Sequence, residues 1–116
     1  AHDGKKADMV AFVMKRLEFF NRADVDIVAT GTTGKRILHA GVEKVQTVNS
    51  GPMGGDAEIG SMVAKGELEG VIFFRDPLDK HPHEPDVQML MRLCDVHDVP
   101  LATNYKSAHI LVKHYA

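Results

Sequence analysis

The stretch Val71-Ile72-Phe73-Phe74 decides the fold class. Four consecutive apolar residues between Gly70 and Arg75 are typical of a parallel strand that is covered on both faces. Apolar residues at helical spacing predict helices on either side of this strand, one over residues 56–65 that Gly66 ends and one over residues 85–96. The run therefore predicts a buried strand in a sheet with helices packed on it.

Strand-like and helical segments alternate along the rest of the chain. Apolar spacing predicts a helix over residues 5–20, and Gly41 is a typical terminator of another helix over residues 32–40. A closing helix is expected to begin at Ser107, and further strands are predicted over residues 25–30, 45–48 and 101–103. This alternation predicts an α/β fold, a three-layer open sheet of parallel strands with helices on both faces.

Size and charge narrow the class of protein. The 116 residues fit one domain over residues 1–116, and 14 Lys and Arg against 16 Asp and Glu give a net charge of −2. That balance gives no basis for a nucleic-acid or membrane partner. Cys94 is the only cysteine, which fits a reducing, cytoplasmic location. We expect no signal peptide and no membrane-spanning segment, because no apolar stretch is long enough.

Polar clusters follow the carboxyl ends of the predicted strands. In open α/β sheets, ligands bind outside these strand ends. The sequence therefore predicts one ligand site to which all four clusters contribute. They are His2-Asp3 with Lys6, Thr30–Gly34, Ser50–Asp56 and Asp76–Asp86.

The segment Thr30-Gly31-Thr32-Thr33-Gly34 is a candidate phosphate cradle between a strand and a helix. Glycines such as Gly31 let the backbone approach an anion closely, and a helix start presents free N–H groups and the positive end of its dipole. The three threonine hydroxyls add donors, without the lysine of a P-loop. The alternative is a plain glycine turn with a threonine N-cap.

A second glycine-rich loop lies between the next predicted strand and helix, with the sequence Ser50-Gly51-Pro52-Met53-Gly54-Gly55-Asp56. Three glycines around a proline make a rigid loop whose backbone can touch a ligand. Asp56 falls at a predicted helix start, where the dipole favours the ionised carboxylate that a general base requires. The alternative is that Asp56 only caps its helix.

Three prolines stiffen the loop from Asp76 to Asp86, which is rich in ionisable groups. His83, just before a predicted helix, is a candidate acid or electrophile. We interpret His81 as a solvated loop histidine. A metal site is the alternative, although the spacing matches no known ligand signature. Its ligands would be Asp76, His81, His83 and Asp86.

Lys6 is the candidate cation of the site. It lies one helical turn after Asp3, so its ammonium group could reach a ligand at the same sheet edge. The alternative is a solvated lysine in the first turn of a helix.

Taken together, these segments resemble the methylglyoxal synthase family in order and spacing, over essentially the whole chain. The Ser-Gly-Pro-Met-Gly-Gly-Asp segment and Pro82-His83-Glu84-Pro85-Asp86 are the most specific motifs, and Pro100-Leu101-Ala102-Thr103-Asn104 matches as well. The Thr-Gly-Thr-Thr-Gly segment is less specific, because related allosteric domains carry similar loops. The resemblance implies a five-stranded parallel sheet, a homohexamer, and elimination of phosphate from dihydroxyacetone phosphate without a metal or other cofactor.

The resemblance also implies roles for single residues. Asp56 corresponds to the catalytic base, and His83 to the histidine near the substrate carbonyl and hydroxyl. Supporting carboxylates correspond to Asp3, Asp76 and Asp86. Substrate and phosphate contacts correspond to His2, Lys6, Thr30, Thr32, Thr33, Ser50 and Gly51.

Two departures from the family pattern concern the ends of the sequence. The family's first strand, central in this fold, would precede Ala1. Relatives also carry an arginine near the carboxyl terminus that reaches a neighbouring subunit's phosphate site. We expect both segments to lie outside the sequence given.

Two other functions compete with this one. A phosphate-sensing regulatory domain, like that of carbamoyl phosphate synthetase, would need the cradle but not Asp56 together with His83. A metal-dependent hydrolase would need the metal site of the proline-rich loop. The joint presence of Asp56 and His83 favours the enzyme.

Overall fold

Two pairs of parallel strands organise the molecule. The computed structural model describes residues 1–116. In it, β1 (Val28–Thr30) pairs with β2 (Gln46–Val48), and β3 (Val71–Ile72) pairs with β4 (Leu101–Ala102). Backbone N–H groups of Phe73 and Arg75 extend the second pairing beyond its regular strands. Parallel strands alternating with helices confirm the α/β class.

Helices cover both pairs of strands. The predicted helix over residues 5–20 is in fact two helices, because Arg16 leaves helical geometry, with φ −132° and ψ 28°. The helix ends at Gly41 and Gly66 are confirmed, and both glycines have positive φ, which a side chain would oppose. The helices are α1 (Lys6–Met14), α2 (Leu17–Phe20), α3 (Gly31–His39), α4 (Gly55–Ala64), α5 (Glu84–Val96) and α6 (Tyr105–Tyr115).

The apolar run that begins at Val71 separates two parts of the core. Val71 and Phe73 pack with α4 and α5, in a cluster that includes Val63 and Leu90. Phe74 points into the other cluster, among side chains of α1, α3 and α6. The run is therefore covered on both faces, as the absence of polar residues within it predicts.

An apolar cleft separates the two sheets, so the four strands do not form the single sheet that alternation predicts. The cleft has a volume of about 550 Å³ and is lined by β1 and β3, but not by their partners β2 and β4. Twenty of its 29 lining residues are hydrophobic, so it is a gap in the core rather than a polar site. None of the helices combines the length and the apolar character that crossing a membrane requires.

Candidate active site

A small polar cavity lies at the carboxyl ends of the strands. Its volume is about 170 Å³, well below the roughly 300–1,000 Å³ of sites for drug-sized ligands, so it suits a small molecule. Only one of its ten lining residues is hydrophobic. The lining residues are Ala1, Asp3, Lys6, Thr30, Thr32, Ser50, Gly51, Pro52, Asp56 and His83.

Asp56 and His83 form a hydrogen-bonded pair in the wall of this cavity. The Oδ2 atom of Asp56 contacts Nδ1 of His83; Asp56 is buried and His83 is partly buried. Asp56 lies in the first turn of α4, where the helix dipole stabilises negative charge. The N-cap position of α4 is Gly54, and the Asp56 side chain is directed to His83 rather than to the backbone of the helix. The pair combines a proton acceptor with an adjacent proton donor.

Gly51 lies directly against this pair. A β-carbon at Gly51 would come within 2.7 Å of Nδ1 of His83 and 3.0 Å of Oδ2 of Asp56. Real β-carbons do not approach other atoms so closely, and any side chain here would displace the pair. Glycine at this position lets the loop from Ser50 close over the two reactive groups.

Lys6 supplies a buried cation to the lining of the same cavity. Its Nζ donates to Oδ1 of Asp3 and to the carbonyl oxygen of Ala1, each at 2.8 Å. This hydrogen bond from Lys6, and then the charge of the lysine, lower the pKa of Asp3. The Asp3 side chain is largely exposed, whereas that of Lys6 is buried. An anionic ligand in the cavity would meet the ammonium group.

The threonines of the predicted cradle separate onto two surfaces. Thr30 and Thr32 line the polar cavity together with Ser50. Thr33 lines the apolar cleft instead, and its buried Oγ1 has no hydrogen-bond partner. Gly31 packs against the backbone of β2 and lines neither cavity. Two of the three predicted threonines therefore line the ligand space, and Thr30 borders the cleft as well.

His2 is buried beside the cavity without lining it. Its Nδ1 accepts a hydrogen bond of 2.8 Å from the backbone N–H of Asp76, and its ring meets that of His83 at 5.4 Å. Burial, and then the neighbouring His81, lower its pKa to about 4. His2 is therefore neutral near pH 7, and it contacts the site through His83.

The proline-rich loop also arranges residues outside the cavity wall. His81 stacks on His2 with ring centroids 3.7 Å apart, so the interpretation of His81 as a solvated loop residue is wrong. Only the tertiary contact with His2 reveals this, and no local sequence signal points to it. Asp76 and Asp86 do not line the cavity. No three His, Cys, Asp or Glu side chains come together as a metal site.

Comparisons with known proteins agree with this geometry. A family model described as "MGS-like domain" matches residues 9–103. The methylglyoxal synthase of Carboxydothermus hydrogenoformans is 54% identical over 97% of this chain and 92% of its own. That of Geobacillus sp. is 56% identical over 97% of this chain and 79% of its own. A crystal structure of methylglyoxal synthase from Elizabethkingia anophelis superposes with a TM-score of 0.87 at 41% identity, covering 97% of this chain and 72% of that one.

The fold and the polar strand-end cavity thus define a protein of the MGS-like domain class. Within that class, identity above 50% over nearly the whole chain is decisive, and the chain belongs to the methylglyoxal synthase family. It is accordingly an enzyme, a carbon–oxygen lyase. Its family bears out the resemblance carried by the glycine-rich and proline-rich motifs.

Proposed function

We propose that the protein converts dihydroxyacetone phosphate into methylglyoxal and inorganic phosphate. One observation carries the proposal: a carboxylate–imidazole pair, Asp56 and His83, shares a small cavity with the buried cation Lys6. A reaction that forms an enediolate needs a base and a proton donor, whereas a phosphate sensor needs only the cation and hydroxyls.

In the first step, Asp56 removes a proton from the hydroxymethyl carbon of the substrate. The C–H electron pair moves into a carbon–carbon double bond, and the carbonyl oxygen gains negative charge. His83 in its doubly protonated form donates from both ring nitrogens. Nδ1 holds Asp56, which leaves Nε2 to donate to the oxygen that gains charge.

In the second step, the carbon–oxygen bond to the phosphate breaks. The substrate hydroxyl loses its proton and becomes an aldehyde, the double bond shifts to the neighbouring carbon, and phosphate leaves with the electron pair. The enol that remains takes up a proton on carbon and becomes methylglyoxal. The two steps consume no water, oxidant or cofactor.

The phosphate-binding groups decide between this outcome and isomerisation. Phosphate leaves readily when its carbon–oxygen bond is aligned with the π system of the enediolate. Lys6, Thr30 and Thr32 line the same cavity as the base, together with Ser50 and the Gly51 backbone. In our proposal these groups hold the phosphate out of the enediolate plane and stabilise the leaving anion. The residues that surround these phosphate-binding groups support the site. They are His2, Gly31, Thr33 and the carboxylates Asp3, Asp76 and Asp86.

The experiment is an assay with dihydroxyacetone phosphate in the presence of EDTA. We expect methylglyoxal and inorganic phosphate to appear in equal amounts at a rate that the chelator leaves unchanged. Formation of glyceraldehyde 3-phosphate instead would indicate an isomerase. Binding of the substrate without turnover would indicate a regulatory domain and would overturn the proposal.

The finer architecture is also a proposal. We infer that residues 1–116 belong to one domain with a five-stranded parallel sheet, in which a further strand lies between β1 and β3. The volume of the cleft, its apolar lining and the unpartnered hydroxyl of Thr33 support a strand at that place. Exposed apolar side chains on the site loops, Met53 and Leu78, support association into a homohexamer. Light scattering on the purified protein tests the subunit number. We also propose a cytoplasmic location and no nucleic-acid or membrane partner.

A further inference from the structure

A cluster of ionisable side chains lies behind the polar cavity and outside its lining. It consists of His2, Arg75, His81 and Glu84, and we call it the His2 cluster. The mechanism above uses none of these side chains on the substrate. Their contacts nevertheless join the segment around His2 to the loop that carries His83.

Glu84 is anchored on two sides at the start of α5. Its Oε1 accepts hydrogen bonds from Nη2 of Arg75 at 3.2 Å and from Nε2 of Gln88 at 3.1 Å. Partial burial opposes ionisation of this carboxyl, but the bonds from Gln88 and Arg75 outweigh it and lower the pKa of Glu84. The residue is therefore a fixed negative charge directly after His83.

The other carboxylate oxygen of Glu84 faces His2. Oε2 lies 3.6 Å from Nε2 of His2, and this nitrogen is buried with no closer partner. Because Nδ1 of His2 accepts the N–H of Asp76, the neutral ring carries its proton on Nε2. A buried N–H without an acceptor is costly, and the carboxylate charge of Glu84 offsets that cost.

The His2 ring in turn supports the loop that carries His83. Its Nδ1 holds the Asp76 end of the loop, one ring face stacks on His81, and its edge packs near His83. The loop from Asp76 to His83 thus passes around one buried imidazole. If that ring turned over about its Cβ–Cγ bond, its hydrogen bond to Asp76 would be lost.

We propose that Glu84 is a positioning residue, which fixes the orientation of His2 and thereby holds the His83 loop against Asp56. The assignment rests on the proposed function for its kinetic test, but not for its spectroscopic one. It gives Arg75 a role as well, because Arg75 aims the Glu84 carboxylate at His2.

The experiment compares Glu84→Ala and Glu84→Gln with the control Asp24→Asn. Asp24 is also a carboxylate paired with an arginine, Arg22, but at an exposed position far along the chain. We expect Glu84→Ala to lower kcat by up to about 10²-fold, the scale of misplacing a catalytic group by about 1 Å. We expect KM to change little, because Glu84 touches no group of the phosphate site. Glu84→Gln keeps the shape but loses the charge, and its kcat should be intermediate.

Nitrogen-15 NMR of the histidine rings gives the readout that a merely structural role would not move. In the unmodified protein His2 should show a protonated Nε2 and an unprotonated Nδ1, and in Glu84→Ala both tautomers should appear. An Nδ1-protonated His2 in the unmodified protein would overturn the proposal. So would Glu84 variants that unfold at lower temperature but keep kcat.

The two proposals fail in distinguishable ways. If the unmodified protein makes no methylglyoxal, the proposed function fails, while the tautomer of His2 still decides the role of Glu84. If methylglyoxal forms at the same kcat in all variants, the proposed function stands and the role of Glu84 is disproved.

Discussion

The polar cavity and the apolar cleft share Asp56 in their linings, together with Ala1 and Thr30, yet they differ in volume and in the chemistry of their other residues. The cavity holds about 170 Å³ among charged and hydroxyl groups, whereas the cleft holds about 550 Å³ among mostly apolar side chains. We therefore expect residues on the cavity side of Asp56 to serve the chemistry and residues on the cleft side to stabilise the fold. Changes on the cavity side should alter chemistry at constant stability, and changes on the cleft side should do the reverse.

The largest effect is expected for Asp56→Asn. The amide keeps the shape but cannot accept the carbon proton, and loss of a general base costs about 10²–10⁴-fold in rate. We expect kcat to fall by that factor while KM changes little, as measured by methylglyoxal release.

The matched control for this prediction is Glu58→Gln. Glu58 lies in the same first turn of α4 and accepts hydrogen bonds from Asn49, but it does not line the cavity. Its replacement should leave kcat unchanged. Near-normal turnover in Asp56→Asn would remove Asp56 from the role of base.

On the cleft side, Phe12→Ala should destabilise the fold without altering the chemistry. Phe12 is fully buried, lines the cleft and packs edge-to-face on Phe74 at 5.7 Å. Truncating a buried phenylalanine costs about 3–5 kcal/mol of unfolding free energy. Urea titration measures this loss, and kcat per folded molecule should be unchanged. Phe12→Leu should lose less, and an equal loss in both variants would contradict a packing origin.

The fold on either side of the cleft was predictable to different extents. The apolar run from Val71 and the glycines Gly41 and Gly66 mark a buried strand and two helix ends through local chemistry alone. The break at Arg16 was not predictable, because the apolar stripe continues across it into α2. The division of the four strands into two sheets was not predictable from the alternation of strands and helices alone, since strand neighbours are set by contacts distant in sequence.

A third prediction returns to the cavity side. Lys6→Met keeps most of the stem but removes the ammonium group, so an anionic substrate loses a charge-assisted hydrogen bond worth about 1.5–3 kcal/mol. We expect KM to rise by about 10- to 10²-fold, with a smaller effect on kcat. Lys5→Met is the control, because Lys5 pairs with Asp8 and does not line the cavity. A fall in kcat at constant KM would show that Lys6 acts on the reacting carbons rather than on the phosphate.

Much of the site could also be foreseen from the strand-end rule, which brings Thr30, Ser50, Asp56 and His83 to one edge. The rule gives no side-chain orientation, so it could not separate Thr32 in the cavity from Thr33 in the cleft. That division depends on how the first turn of α3 is rotated.

The smallest expected effect is the pH dependence of the unfolding free energy that arises from the buried ring of His2. The pKa of His2 is lowered to about 4 by burial and by His81, whereas an unfolded histidine titrates near 6.5. Between these values the unfolded chain binds a proton that the folded protein excludes, so stability rises with pH there and is lost as pH falls from 6.5 towards 4. One such group contributes a slope of at most about 1.4 kcal/mol per pH unit. Urea unfolding at pH 6 and pH 5 measures the slope, which should be smaller in His2→Asn. An equal slope in both proteins would mean that folding does not shield His2 from protons. The polar cavity would then extend further behind His83 than the buried contacts of His2 indicate.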